Sequence, residues 1–244
     1  MRHIWTLVLA PVAFVFTMVV CSGICISGLV DRTGWAWWRI ARLWGWGMMR
    51  MGGVRGKVRH QHLERMTGLH SAILMANHES NLDPALLIGL SPEPVRIVSK
   101  HSLFYVPIFG QAMWVVGMIP VNRGRSDRAI KSLQAAADLI RAGRVVLVFP
   151  EGTRSHTREL LKFKKGGFML ALQAGVPIVP IGIAGTQRVL PPGLGAIRFG
   201  SVAVSVGEPI STEGLDISDR ARIMKQVEAA IRDQRGQAEQ MLED

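Results

Sequence analysis

Two polar residues five positions apart, His78 and Asp83, have the types and spacing of a proton-transfer pair. They follow an apolar run of strand length at residues 71–76, so we expect them in a loop that leaves a strand. Histidine accepts a proton near neutral pH, and a carboxylate on its other ring nitrogen fixes the tautomer and stabilises the imidazolium. The alternative is structural, because Asp83 before Pro84 could be a helix N-cap with proline at N1.

A second polar segment follows another apolar run. Residues 145–149 have the composition of a buried strand, and Pro-Glu-Gly-Thr-Arg-Ser follows at 150–155. Together, Asn77-His78 with Asp83 and the segment 149–155 resemble the glycerolipid acyltransferases, in particular the 1-acylglycerol-3-phosphate (lysophosphatidic acid) acyltransferases. Residues 100–110, 117–123 and 176–181 are similar to the other sequence blocks of that family, and all occur in the family's order.

The resemblance implies that a fatty acyl chain moves from a thioester to the free sn-2 hydroxyl of lysophosphatidic acid, giving phosphatidic acid. The acyl donor would be acyl-CoA or acyl carrier protein. His78 would be the general base, oriented by Asp83, and the acceptor hydroxyl would attack directly. A sibling activity on glycerol-3-phosphate, a lyso-aminolipid or another lysophospholipid stays open.

The resemblance also implies a set of substrate-binding residues. Arg123 and Arg154 would meet the acceptor phosphate, and Lys100 would steady the developing oxyanion or the phosphate. The implied set is Asn77, Lys100, Arg123, Glu151, Gly152, Thr153 and Arg154.

Each of these residues also has a structural alternative. Arg154 could form a loop salt bridge with Glu151 or Glu159, and Lys100 could be a surface lysine at a strand end. Asn77 could brace its loop or help to polarise the thioester carbonyl. Glu151, Gly152 and Thr153 would shape the glycerol pocket, with the glycine allowing a close backbone approach.

Other kinds of site lack their motifs. A zinc hydrolase of the H-E-x-x-H type would need a second histidine where Leu82 stands. No phosphate-binding glycine motif follows a strand, and no G-x-S-x-G nucleophile turn occurs. We therefore predict an enzyme that uses neither a cofactor nor a metal ion.

The pattern of residues 54–244 predicts an α/β domain, a largely parallel sheet flanked by helices. The candidate strands, in chain order, are residues 54–58, 73–76, 95–98, 118–121, 145–149, 178–183 and 202–206. The clearest helices are a stretch from Ser126 as N-cap to Gly143, and 167–174 closed by Gly175. A last amphipathic helix begins at Ser218, and the polar tail after Gly236 is expected to fray.

Residues 1–53 form the second predicted unit, a membrane-associated pair of helices. Residues 4–30 carry no charge over 27 positions, about 40 Å of helix, enough to cross a bilayer core of about 30 Å. A cleaved signal peptide is disfavoured because no Ala-x-Ala site follows. Whether this helix spans the bilayer or lies in one leaflet stays open.

The following segment, 35–51, predicts an interfacial helix with arginines on one side and indoles on the other. The arginine side holds Arg32, Arg39, Arg42 and Arg50, and the apolar side holds Trp37, Ile40, Trp44, Met48 and Met51. Indoles at headgroup depth and guanidinium groups near lipid phosphates would explain this composition. The alternative is a core helix of a soluble domain, which so many tryptophans beside arginines disfavour.

Charge and cysteine usage limit the partners. The net charge is +11, and residues 211–244 carry −3, so the first 210 carry +14. Five of the seven tryptophans lie within residues 35–46, which favours an anionic phospholipid surface over nucleic acid as the partner of this basic body. Only Cys21 and Cys25 occur, which fits a reducing compartment. We expect the inner membrane, and if residues 4–30 span it, the arginines downstream of Val30 place the catalytic domain on the cytoplasmic side.

Overall fold

A computed structural model of the protein describes residues 2–31, 34–121, 127–157, 159–192 and 197–243. Within those ranges seven strands form one sheet, in the order β1-β7-β6-β2-β5-β3-β4. The strands are β1 (Val54–Gln61), β2 (Ala72–Ala76), β3 (Val95–Lys100), β4 (Ile119–Val121), β5 (Val145–Val148), β6 (Ile178–Ala184) and β7 (Gly200–Val206).

The sheet is largely parallel, as predicted. Among the seven described strands only β6 and β7 pair antiparallel, so β1 and β7 run opposite to the other five. At the centre, Leu74 of β2 lies opposite Leu147 of β5 and Val179 of β6. Because β2, β5 and β3 are parallel neighbours, their carboxyl ends meet at one edge of the sheet, where both polar motifs begin.

Helices cover both faces of the sheet. They are α1 (Arg2–Val30), α2 (Trp35–Met51), α3 (Asp83–Leu90), α4 (Phe109–Val115), α5 (Asp127–Arg141), α6 (Lys165–Ala174), α7 (Thr186–Val189) and α8 (Arg220–Glu243). Side chains of β2 alternate between two cores: Leu74 packs on the side of α1 to α4, and Ile73 and Met75 pack on the side of α5, α6 and α8. The continuous apolar run of β2 follows from burial on both faces.

The predicted elements are present, with differences at the ends. Ser126, the predicted N-cap of α5, lies outside the described residues. A 3-10 turn at Ile217–Asp219, capped by the Asp216 side chain, precedes α8, so Ser218 is not the first residue of the α-helix.

The prediction of a frayed tail after Gly236 is wrong. Helix α8 continues to Glu243, and Ala238 is fully buried against Ala184 of β6 and Ala203 of β7. Met241 and Leu242 pack at the edge of that cluster. These small and apolar residues continue the buried face of α8 past a polar stretch whose composition alone suggested solvent.

Helices α1 and α2 pack antiparallel against each other. The indole Nε1 of Trp44 donates to Thr17 Oγ1 at 3.1 Å, and a Cβ on Gly47 would collide with the ring of Phe16. Helix α2 in turn lies close against α3, since a Cβ on Gly45 would stand 2.6 Å from the carbonyl oxygen of Ala85. The two N-terminal helices therefore share one core with the α/β fold.

The side of α2 predicted to carry indoles packs against the rest of the protein, where Trp37 is buried and Trp44 and Met48 contact Thr17 of α1. Trp37 and Trp38 are 5% and 1% exposed, and Arg96 lies over the Trp37 ring at 5.4 Å. The exposed stripe of α2 mixes arginines with apolar residues, while the central indoles of Trp37 and Trp38 belong to the buried core. It consists of Trp35, Arg39, Leu43, Trp46 and Arg50; Arg32 lies outside the described residues.

Helix α1 exposes a second apolar surface. Residues 8–30 are long and apolar enough to cross a membrane, and only 17% of that stretch is buried in the protein. The large exposed side chains are Val8, Val12, Phe14, Val15, Val19, Ile26, Leu29 and Val30.

Candidate active site

Asn77 anchors the start of the loop that leaves β2. Its side-chain amide donates to the carbonyl oxygen of Ile183 at 2.9 Å, and its amide oxygen accepts from Ile183 N–H at 2.7 Å. Because β6 is the neighbour of β2, this pair of bonds fixes the direction in which the chain enters the loop. Of the two roles expected for Asn77, the structure shows the bracing one.

The structure brings His78 and Asp83 together. His78 Nδ1 lies 2.7 Å from Asp83 Oδ2, and the same oxygen accepts the backbone N–H groups of Glu79 at 2.7 Å and Ser80 at 2.8 Å. Asp83 is fully buried and is the first residue of α3, with its carboxylate turned back into the loop. The N-cap alternative is therefore wrong, because Leu82 takes the cap position and its side chain makes no capping bond.

Phe149 holds the plane of the imidazole. Its ring stacks on His78 with the centroids 4.2 Å apart and the planes 23° apart. The His78 side chain keeps 16% of its surface exposed. Since Asp83 occupies Nδ1, Nε2 is the ring nitrogen that remains to take a proton.

Glu151 lies beneath the same loop and binds backbone with both carboxylate oxygens. Oε1 accepts from His78 N–H at 2.7 Å, and Oε2 accepts from Leu161 N–H at 2.8 Å. Burial raises the pKa of this carboxyl, and the two backbone N–H groups counteract part of that rise. Glu151 also lines a small pocket beside His78, together with residues from the 155–160 loop.

The rest of the second motif lies at the rim of the site. Gly152 has a φ of +69°, a conformation that glycine adopts without strain. Thr153 is exposed. The Arg154 guanidinium donates to the side-chain oxygen of Asn81 rather than to Glu151 or Glu159, so the structure does not show the salt-bridge alternative.

Lys100 is the last residue of β3 and is exposed. Its strand is the parallel neighbour of β5, so Lys100 stands at the same edge of the sheet as the two motifs. It pairs with Val121 at the end of β4. Arg123, the other predicted phosphate ligand, lies outside the described residues.

Three residues of the site were missed by the sequence analysis. Thr186, at the start of α7, donates to Asp83 Oδ1 at 2.5 Å. Glu79 is 4% exposed, and burial together with the charge of Asp83 raises its pKa to about 7. Arg235 of α8 lies 3.7 Å from Glu79. The position of Thr186 just after a strand could have indicated a site residue. No sequence signal indicates that Arg235, about 150 positions after Glu79 in the chain, lies beside it.

Metal-ligating side chains do not cluster in the part of the chain that the structure describes. No group of three or more His, Cys, Asp or Glu there is arranged to hold an ion.

Comparisons with known proteins show which family the chain resembles. A family model described as Acyltransferase matches residues 57–184, more than half of the chain. A 1-acyl-sn-glycerol-3-phosphate acyltransferase of Saccharomyces cerevisiae is 36% identical over 211 residues, which cover 85% of this chain and 68% of the yeast protein. The Escherichia coli protein of the same name is 35% identical over 141 residues, 57% of each chain.

A solved structure supports the fold. The 1-acyl-sn-glycerophosphate acyltransferase of Thermotoga maritima superposes with a TM-score of 0.82 at 24% identity, covering 99% of this chain and 98% of that one. The resemblance drawn from the two motifs is confirmed, and so is the sheet flanked by helices. The chain belongs to the acyltransferase family, with the 1-acyl-sn-glycerol-3-phosphate acyltransferases among its relatives.

Proposed function

We propose that the protein transfers a fatty acyl chain from a thioester to the sn-2 hydroxyl of lysophosphatidic acid, giving phosphatidic acid. The observation that carries the proposal is the 2.7 Å contact between His78 Nδ1 and a fully buried Asp83, at the sheet edge where the two family motifs meet. The yeast and Escherichia coli relatives carry the name of this activity.

The pair supplies the proton transfer that the reaction needs. A hydroxyl is a poor nucleophile until a base removes its proton, and Nε2 of His78 is the free position for that proton. The hydroxyl oxygen attacks the thioester carbonyl as it loses its proton, and the carbonyl then re-forms as the C–S bond breaks. The imidazolium, stabilised by Asp83, returns the proton to the leaving thiolate, so His78 is restored in one cycle.

Phosphate recognition is assigned to the basic residues of the sheet edge. Arg154, held at the rim by Asn81, and Lys100 at the end of β3 supply positive charge on either side of β5. Arg123 belongs to the same proposed set on the family resemblance alone. Gly152 and Thr153 would border the glycerol, next to Glu151 and Asn77, which hold the loop that carries His78.

Residues 1–53 are proposed to hold the catalytic region, residues 54–244, on the cytoplasmic side of the inner membrane. The packing favours a helix pair in one leaflet over a free span, since α1 contacts α2 near Thr17 and α4 near Gly28. Lipid cannot surround the C-terminal half of α1, because α2 and α4 cover part of its surface. The apolar surface of α1 and the mixed stripe of α2 would face lipid.

The test is an acceptor and donor panel with the purified full-length protein. Acyl-CoA and acyl carrier protein thioesters are each offered with lysophosphatidic acid, glycerol-3-phosphate and a lyso-aminolipid, and the acylated products are quantified by mass spectrometry. We expect phosphatidic acid from lysophosphatidic acid, at a kcat/KM at least tenfold above that for the other acceptors. Preference for another acceptor would replace the proposed substrate, and no transfer to any of them would contradict the reaction class.

A further inference from the structure

A buried polar cluster joins the end of the chain to the His78–Asp83 pair. Thr186 Oγ1 lies 2.5 Å from Asp83 Oδ1 and 3.1 Å from Glu79 Oε1, while Arg235 Nη2 lies 3.7 Å from Glu79 Oε2. Asp83 and Thr186 are fully buried, and Glu79 and Arg235 keep less than a tenth of their surface exposed. In such a place each polar group depends on the partner that the fold gives it.

The protons in this cluster can be counted. Thr186 has one hydroxyl proton and two carboxyl oxygens within reach. The shorter contact takes that proton, because the proposed function needs Asp83 as a carboxylate and a charged acceptor makes the stronger bond. The contact with Glu79 then falls to a proton on Glu79. Burial together with the charge of Asp83 raises the pKa of Glu79 to about 7, and the Gln187 N–H at 3.2 Å from Oε1 and the charge of Arg235 counteract part of that rise.

We propose that Thr186, Glu79 and Arg235 are positioning residues for acyl transfer, with the proton-bearing form of Glu79 donating to Thr186 and Thr186 donating to Asp83. This inference rests on the proposed function, because it defines these roles relative to His78 as the base.

Thr186 controls the orientation of the carboxylate. Asp83 Oδ2 already accepts from His78 and from two backbone N–H groups, and Thr186 alone among the described contacts holds Oδ1. With both oxygens fixed, the carboxylate cannot rotate, and Nε2 of His78 points in one direction. Orientation at this level is a large part of what an active site contributes to rate.

Arg235 orients Glu79 from the other side of the sheet. The backbone of α8 approaches β6 so closely that a Cβ on Gly182 would overlap backbone atoms of Gln234 and Arg235. This approach brings the guanidinium to Glu79, and Glu239 binds it at 3.2 Å from the next turn of α8. The charged groups that face Glu79 are thus Asp83 from α3 and Arg235 from α8.

The first test compares Thr186→Val with Thr186→Ser, using lysophosphatidic acid and acyl-CoA or acyl carrier protein thioester with the full-length protein. Valine removes the hydroxyl and keeps the shape, so we expect kcat to fall about 10–100-fold, the scale of one buried hydrogen bond to a charged group, with KM changed less than threefold. Serine keeps the hydroxyl and should restore most of kcat. Thr212→Val is the matched control, because Thr212 is equally buried and loses one bond, to the Val176 carbonyl at 2.8 Å, away from the site.

A second pair of variants tests the proton on Glu79. Glutamine copies the shape and the donor of a neutral glutamic acid, so Glu79→Gln should stay within about threefold of the wild-type kcat, whereas Glu79→Ala should lose at least tenfold. The ratio of the Gln variant's kcat to the wild type's should also rise between pH 6 and pH 8.5, as wild-type Glu79 ionises. A constant ratio would overturn the proton-bearing role.

Arg235 has a control on its own helix. Arg235→Ala should lower kcat, while Arg232→Ala, which removes only an exposed ion pair with Glu228, should not. A rise in KM alone for Arg235→Ala would make this arginine a substrate contact and overturn its positioning role, since it also lines the pocket beside His78.

The outcomes separate this inference from the proposed function. If His78→Ala removes activity while Thr186→Val and Glu79→Ala behave like Thr212→Val, the positioning cluster is wrong and the base assignment stands. If His78→Ala keeps the wild-type rate, the base assignment itself is wrong. Should Thr186→Val fail to fold by circular dichroism, the Glu79 and Arg235 pairs decide the question.

Discussion

At the scale of single residues, the site is held by buried side chains that bind backbone groups. Asn77 binds the loop to β6, and Glu151 links the loop to the 155–161 segment. Asp83 accepts hydrogen bonds from backbone N–H groups within the loop. Each of these polar atoms would be costly to bury without its partner. These hydrogen bonds therefore fix the conformation of the loop that carries His78.

The raised pKa of Glu79 makes stability depend on pH. The folded carboxyl has a pKa of about 7 and the unfolded one about 4.5, so the folded state holds the proton more tightly. Its stabilising contribution is complete below pH 4.5 and is lost as the pH rises to about 7. Glu79→Gln cannot ionise, so we expect the variant to gain up to about 3 kcal/mol over the wild type between pH 4.5 and pH 8. Denaturant unfolding of both proteins at pH 4.5 and pH 8 measures their free energies of unfolding. The same difference between variant and wild type at the two pH values would contradict the prediction.

Arg154 is predicted to act on the phosphate of the acceptor. Arg154→Ala should raise KM for lysophosphatidic acid about 10–100-fold, the range of a hydrogen-bonded charge pair, and should affect a phosphate-free lyso-acceptor much less. Arg141→Ala is the control, since it removes an exposed arginine at the other end of the strands. Steady-state kinetics on both acceptors gives the answer. Equal losses on the two acceptors would show that Arg154 is structural.

At the scale of elements, the length of α8 decides whether the C-terminal segment belongs to the site. Gly236 lies inside the helix, and a Cβ there would meet nothing within 4 Å. Gly236→Ala should therefore stabilise the protein by about 0.5–1 kcal/mol, the propensity difference in a helix interior. Gly45→Ala should destabilise it, because its Cβ would strike α3. Thermal unfolding measures both; no gain for Gly236→Ala would favour the frayed tail.

Much of the fold and part of the site could be predicted from the sequence. Strands buried on both faces give continuous apolar runs, and parallel neighbours bring the polar ends after β2 and β5 together. The contact of Arg235 with Glu79 could not be predicted, because it depends on how closely α8 approaches Gly182. The burial of Trp37 and Trp38 was missed for a similar reason: a helical wheel separates the faces of α2, but tertiary packing decides which face is covered.

At the scale of the whole molecule, charge and exposed apolar side chains favour a lipid surface. The first 210 residues carry +14, and the exposed stripe of α2 alternates arginines with Trp35, Leu43 and Trp46. Arg39→Glu should weaken sedimentation with anionic vesicles several-fold and lose its effect at high salt, as interfacial charge is screened. Arg141→Glu carries the same charge change on α5 and should bind as the wild type does. Equal binding by both variants would contradict a role for this stripe.

The proposed function depends on His78 removing the proton of the acceptor hydroxyl. The most direct measurement is the turnover of His78→Ala with lysophosphatidic acid and an acyl thioester, beside His60→Ala, an exposed histidine on the edge strand β1. We expect a loss of about 10²–10⁴-fold in kcat for His78→Ala with unchanged thermal unfolding, and wild-type turnover for His60→Ala. A folded His78→Ala protein that acylates lysophosphatidic acid at the wild-type rate would contradict this role of His78.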